Sequence, residues 1–136
     1  MQTFLPYSSF QKSAQCLDYR RLGKQRVEAL QILQSLRHGT GWRNHPATKM
    51  WRSYEQALVE YGVAICDEWI HRGYRDTCRN KILALSLSDQ AIVLPPWIGD
   101  FKFHRSHQSN LVHKDPKHYR QFFPDVPDNY AYVWPI

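Results

Sequence analysis

Between Pro46 and Gly73, large apolar side chains recur at steps of three and four: Trp51, Tyr54, Leu58, Tyr61, Ile65 and Trp69. That spacing lines them along one stripe of an α-helix and does not match the alternation of a strand. Pro46 suits a first turn and Gly73 a stop, so the segment is expected to form one long central helix. An aromatic stripe of this kind is scaffold facing a core, not a platform for stacking bases. Ala29, Ile32, Leu33 and Leu36 repeat the pattern within residues 25–37, and Gly39 is placed to end that helix near His38. A shorter helix is expected over 75–87, ending before the extended link that Pro95 and Pro96 impose. Asp100 can cap another helix running towards Lys114, stopped by Asp115 and Pro116. The tail DVPDNYAYVWPI has no helical period and is expected to wrap over the core. The chain's 136 residues suit one domain. The expected fold class is all-α: a single compact helical domain over residues 1–136 with an irregular aromatic C-terminal tail.

Composition narrows the function. With 43% hydrophobic and 14% aromatic residues, disorder is excluded as the dominant state. No stretch approaches the roughly 18 to 20 apolar residues of a membrane helix, and MQTFLPYSSFQKS lacks the basic and apolar regions of a signal peptide, so the cytoplasm is expected. Cys16, Cys66 and Cys78 are odd in number and form no CxxC, which fits a reduced compartment and three small buried side chains. Lys and Arg total 18 against 12 for Asp and Glu, a net charge of +6. Residues 11–52 concentrate this: Lys12, Arg20, Arg21, Lys24, Arg26, Arg37, Arg43, Lys49 and Arg52 face only Asp18 and Glu28. A polyanion, nucleic acid first, is the implied partner.

Three segments carry candidate chemistry. In Asp18–Glu28 the cations outnumber what internal pairing can absorb, and arginine grips phosphates bidentately. On a helix, Asp18, Arg21, Gln25 and Glu28 would share one face, provided Gly23 does not interrupt it. Gly41–Pro46 sets Trp42, Arg43, Asn44 and His45 in succession on a loop between two helices, although Asn44 can instead cap the following helix. The run from His104 to Tyr119 is dense in donors, with Arg105, His107, Gln108, Asn110 and Lys114 suited to phosphate and base contacts. His104 and His107 at i, i+3 can ligate an ion, but nothing supplies matching ligands, so no metal and no organic cofactor are expected. GxxxxGK[ST], GxGxxG and GxSxG are absent, which removes the common nucleotide, dinucleotide and serine-hydrolase chemistries.

At these residues the chain resembles the pyrimidine dimer DNA glycosylase family, the endonuclease V-like proteins. The likeness rests on a short N-terminus leading into Tyr19-Arg20-Arg21-Leu22, on a mainly helical chain, and on His107-Gln108-Ser109-Asn110-Leu111 followed by Pro116, His118 and Tyr119. RLGKQRVEALQIL, WRNHP with a following MW, HRSHQSNL and KDPKHY are similar to the family's bacterial branch and extend the likeness over nearly the whole chain.

The resemblance implies a monomeric DNA repair enzyme associated with the nucleoid. It would bind damaged or modified double-stranded DNA, extrude a base, and cut the glycosidic bond with its own N-terminal amine. An α-amine with a pKa of about 7.7 to 8.0 is partly unprotonated at neutral pH, which makes it a workable nucleophile. Attack at the sugar C1′ gives an imine, and β-elimination from it would add AP-lyase activity. Gln2 is too large for ordinary methionine removal, so the amine falls to Met1. The family's catalytic glutamate follows the tyrosine–arginine pair, and that position here is Arg21, which cannot shuttle protons. Glu28 is preferred as the displaced carboxylate and Asp18 is its rival; pairing with Arg21 or Lys24 would give either a purely structural role. Arg20, Arg21, Lys24, Arg26, Arg43, Arg105 and Lys114 are expected on phosphates, and Asn44, His45, His107, Gln108 and Asn110 near the lesion, with Gln25 beside them. The alternatives are a non-catalytic DNA-binding module on the same fold, or an enzyme acting on another modified base or nucleoside.

Overall fold

Short polar side chains start most of the helices by accepting from otherwise free amide groups. The computed structural model describes residues 1–87 and 91–136. Ser9 opens α1 (Phe10–Cys16) and Asp18 opens α2 (Tyr19–His38). Gly39 closes α2 at a φ of 67°, a left-handed conformation that glycine adopts without strain. His45 caps α3 (Pro46–Lys49), Asp100 caps α6 (Phe101–Lys114) and Asp115 caps α7 (Pro116–Tyr119). With α4 (Glu55–His71) and α5 (Arg79–Ala84) this makes seven helices, and no strand, among the described residues.

The single helix expected from Pro46 to Gly73 is two. The chain leaves α3 after Lys49 and turns through Ser53, whose φ of 74° is left-handed, before α4 begins at Glu55. The break lets Trp51 turn fully inward, where its indole N–H donates to Thr3 Oγ1 at 3.0 Å. Asn44 does not cap the following helix; His45 does, its Nδ1 accepting from Ala47 N at 3.0 Å. Over 75–87 only Arg79–Ala84 is helical, started by Asp76, which accepts from the amides of Cys78 and Arg79. α1 and α7 are too short to display a period in sequence. The part of the expected link at 88–90 lies outside the described residues.

α4 packs against α1, α2 and α5. Leu22, Ile32 and Leu33 of α2 meet Leu58, Tyr61 and Ile65 of α4 in a core that Phe103 and Leu111 of α6 also enter. Gly23 does not interrupt α2. It admits Trp69 of α4 so closely that a Cβ there would stand 2.9 Å from two ring carbons. The cysteines are buried and free. The tail is irregular, as expected, and lies on α6: Ser109 Oγ accepts from Tyr130 N and Ser106 Oγ from Val133 N.

Candidate active site

Residues 2–6 are buried yet belong to no helix, so their peptide groups must find partners elsewhere. Side chains supply them. Gln25 donates from Nε2 to Gln2 O at 2.7 Å and accepts Phe4 N on Oε1 at 3.0 Å. Tyr61 donates to Phe4 O at 2.8 Å. Leu5 N donates to His107 Nδ1 at 2.9 Å, while His104 Nδ1 meets Leu5 O at 2.8 Å and its Nε2 accepts from Gly99 N. Gln108 Nε2 completes the set on Pro6 O at 2.8 Å. Burial keeps both histidines below their ordinary pKa, His107 at about 3, helped by the neighbouring His104. Neutral rings suit the roles: a His107 that accepts at Nδ1 and a His104 that donates at Nδ1 and accepts at Nε2.

This leader ends at a cavity of about 670 Å3 that Met1 lines together with Asp18, Arg21, Glu28, Phe4 and Tyr132. The α2 spacing is realised: Asp18, Arg21, Gln25 and Glu28 all reach this cavity, with Arg20, Lys24 and Lys114 around it. The two carboxylates differ. Asp18 caps α2, pairs with Arg21 Nη1 at 3.1 Å and accepts from Tyr119 Oη. Burial opposes its ionisation, but the hydrogen bonds from Tyr119 and Arg21 outweigh burial and hold it below the usual carboxylate range. Glu28 is 8% exposed; its Oε2 accepts from Gln25 Nε2 at 2.9 Å and faces Gln2 N at 3.4 Å, one residue from the amine. Its Oε1 has the exposed Lys24 ammonium at 3.8 Å. His45 stands within the field of the Met1 ammonium. Burial and that charge lower its pKa, against the pull of Glu28.

Several expected DNA contacts are turned elsewhere. Gln25 and His107 are buried, with 1% and 0% exposure, and hold the leader. Gln108 does the same, and Asn110 ties Ser106 O to Tyr130 O. Arg26 lies over the Trp69 ring, 4.4 Å from its centroid, and pairs with Asp76 at 2.7 Å. Arg105 stands beside the Phe101 and Tyr130 rings in a separate groove. Arg43 and Asn44 are exposed on the loop before α3. Sequence did not anticipate Tyr132 in the cavity wall, the bond from Tyr119 to Asp18, or the hold of Trp51, Tyr61 and His104 on the leader. His104, His107 and Gln108 sit at i, i+3, i+4, the signal of one inward helix face, which identifies them as a grip on buried chain.

Residues 1–82, which carry the leader, α2 and the Trp42–His45 loop, match the family model described as pyrimidine dimer DNA glycosylase. The chain belongs to the pyrimidine dimer DNA glycosylase family. No curated protein and no solved structure matches it. Membership makes this glycosylase an enzyme of DNA; Met1, Asp18, Arg21 and Glu28 of the cavity fall within the matched span, and Lys114 and Tyr132 of its wall fall beyond it. The His107–Leu111 and Pro116–Tyr119 runs fall beyond that span. Among the described residues, no helix is long and apolar enough to cross a membrane, and no group of three or more His, Cys, Asp or Glu can hold a metal ion.

Proposed function

We propose that this glycosylase excises a damaged or modified pyrimidine, the dimer foremost, with the Met1 α-amine as nucleophile and Glu28 as the working carboxylate. The observation that carries the reading is the leader: a buried, non-helical segment held by side chains of α2, α4 and α6 that ends beside Glu28. Such a clamp fixes one end of the chain in position, which is what attack by a terminal amine requires. The amine lone pair adds at the sugar C1′ as the base leaves with the glycosidic electron pair. The Glu28 carboxylate stabilises the positive charge that develops on the sugar and takes the proton the amine sheds. Proton transfer to the ring oxygen then opens the sugar to the imine, from which β-elimination cuts the strand. Arg20, Arg21, Lys24 and Lys114 around the cavity suit the flanking phosphates.

The test is borohydride trapping on duplexes carrying an abasic site or a thymine dimer, using chain that begins at Met1 and chain extended by one residue. A reduced adduct mapped to Met1 on both duplexes, lost or displaced on extension, is the expected result. Adduct on the abasic duplex alone keeps the amine chemistry and excludes the dimer as substrate. Binding without adduct on either overturns the amine mechanism in favour of a non-catalytic module.

A further inference from the structure

The loop joining α2 to α3 is built to a definite shape. Gly39 and Gly41 take left-handed φ of 67° and 62°, Ser35 Oγ donates to Thr40 O, and His45 N donates to Trp42 O at 3.0 Å. Of the five tryptophans, Trp51 and Trp97 are buried, and Trp69 is covered by Tyr74 and Arg26. Trp42 is 52% exposed. It is also not isolated from the cavity: Tyr132, which lines it, touches Trp134 at 5.7 Å, Trp134 meets His45 at 6.1 Å, and His45 meets Trp42 at 5.9 Å. This row of rings runs from the cavity wall to the tip of the loop. Around the tip stand Arg43, Lys49 and Arg52, all exposed and in no ion pair among the described residues, with Arg52 Nη2 donating to Arg43 O at 3.1 Å. An open indole on a loop that also carries exposed cations outside any ion pair is the surface that a nucleobase with its phosphates complements.

We propose that Trp42 stacks on a nucleobase displaced from the duplex beside the lesion, while Arg43, Lys49 and Arg52 hold the phosphates next to it. The inference rests on the proposed function, since it needs DNA seated over the Met1 cavity. It adds a second contact outside the cleavage chemistry, one that senses whether a base can leave the stack. Lesions meet that condition at least cost because their stacking is already weakened.

The test compares wild type, Trp42→Ala and Trp42→Phe on an undamaged duplex and on one bearing a reduced abasic analogue, with 5-iodouracil beside or opposite the lesion for photocrosslinking. Trp42→Ala is expected to weaken the lesion duplex about ten- to a hundredfold while leaving the undamaged duplex within about twofold, with Trp42→Phe restoring most of the difference. The wild-type crosslink is expected at Trp42. Equal affinities for wild type and Trp42→Ala with no crosslink at 42, or equal loss on both duplexes, overturns the stacking role and leaves the glycosylase reading standing. Wild type that does not prefer the lesion duplex at all, and traps no imine, overturns both.

Discussion

Glu28 and Asp18 differ in what their oxygens already do. Both oxygens of Asp18 are engaged, by its helix cap, Arg21 and Tyr119, whereas Glu28 keeps Oε1 towards an exposed ammonium and stands next to the leader. Glu28→Gln retains the shape and an acceptor for Gln25 but loses the charge, so turnover should fall by about 10²- to 10⁴-fold with DNA affinity nearly unchanged. Asp18→Asn keeps a capping oxygen but loses the charge that pairs with Arg21 and accepts from Tyr119, so it should act through folding instead, costing about 1 kcal/mol, with a smaller loss of rate. Single-turnover cleavage beside denaturant midpoints separates the two. Comparable losses of rate in both variants would remove Glu28 from its special place. The shared face of Asp18, Arg21, Gln25 and Glu28 was legible because helical spacing alone determines it. The burial of Gln25 was not, since it depends on where residues 2–4 run, and no period describes that path.

The same contrast holds for whole elements. Gly39, Asp100 and the apolar period of α2 announced real boundaries, because caps and periodicity act within a turn or two. The division of Pro46–Gly73 was hidden. Its stripe keeps helical spacing across the turn, and the break serves a distant requirement, the bond from Trp51 to Thr3. Gly23 is another case in which a neighbour decides the outcome. In an open helix, glycine to alanine gains about 1 kcal/mol from backbone entropy. Here the added methyl meets a rigid indole at 2.9 Å, and that indole is itself held between Tyr74 and Arg26. Overpacking of this kind costs roughly 1–3 kcal/mol, so the clash exceeds the gain. Gly23→Ala is expected to lower the urea midpoint, and a raised midpoint would mean that α2 and α4 separate without cost.

Across the molecule, charge counted along the chain located the polyanion face only in part. Arg26, Arg72 and Arg79 close ion pairs with Asp76, Glu68 and Asp67, while Arg20 and Lys114 remain at the cavity and Arg43, Lys49 and Arg52 at the loop. The Arg26–Asp76 and Arg79–Asp67 pairs are properties of the assembled fold, whereas Arg72–Glu68 is a local i,i+4 pair. The histidines show the same dependence on assembly, and they give the whole molecule an acid limit. In the unfolded chain His107 takes its proton near 6.5, and in the fold at about 3, with His104 displaced in the same direction. Folding therefore favours the neutral rings. Their contribution is complete above pH 6.5 and is lost as pH falls towards 3, because the unfolded state binds the protons first. Asp18 and Asp76, held below their ordinary 3.8, lose their contribution only at still lower pH. Between pH 6.5 and 4 His107 should dominate, adding a slope of up to about 1.4 kcal/mol per pH unit, with His104 acting in the same direction. His107→Gln keeps an acceptor for Leu5 N without titrating, so its unfolding free energy should fall less steeply over that interval than wild type. Equal slopes would show that His107 does not couple to folding. Folded His107 stays neutral until about pH 3, so Leu5 keeps its acceptor across this interval; Met1 trapping should fall only where wild type begins to unfold, and hold further into acid in the variant.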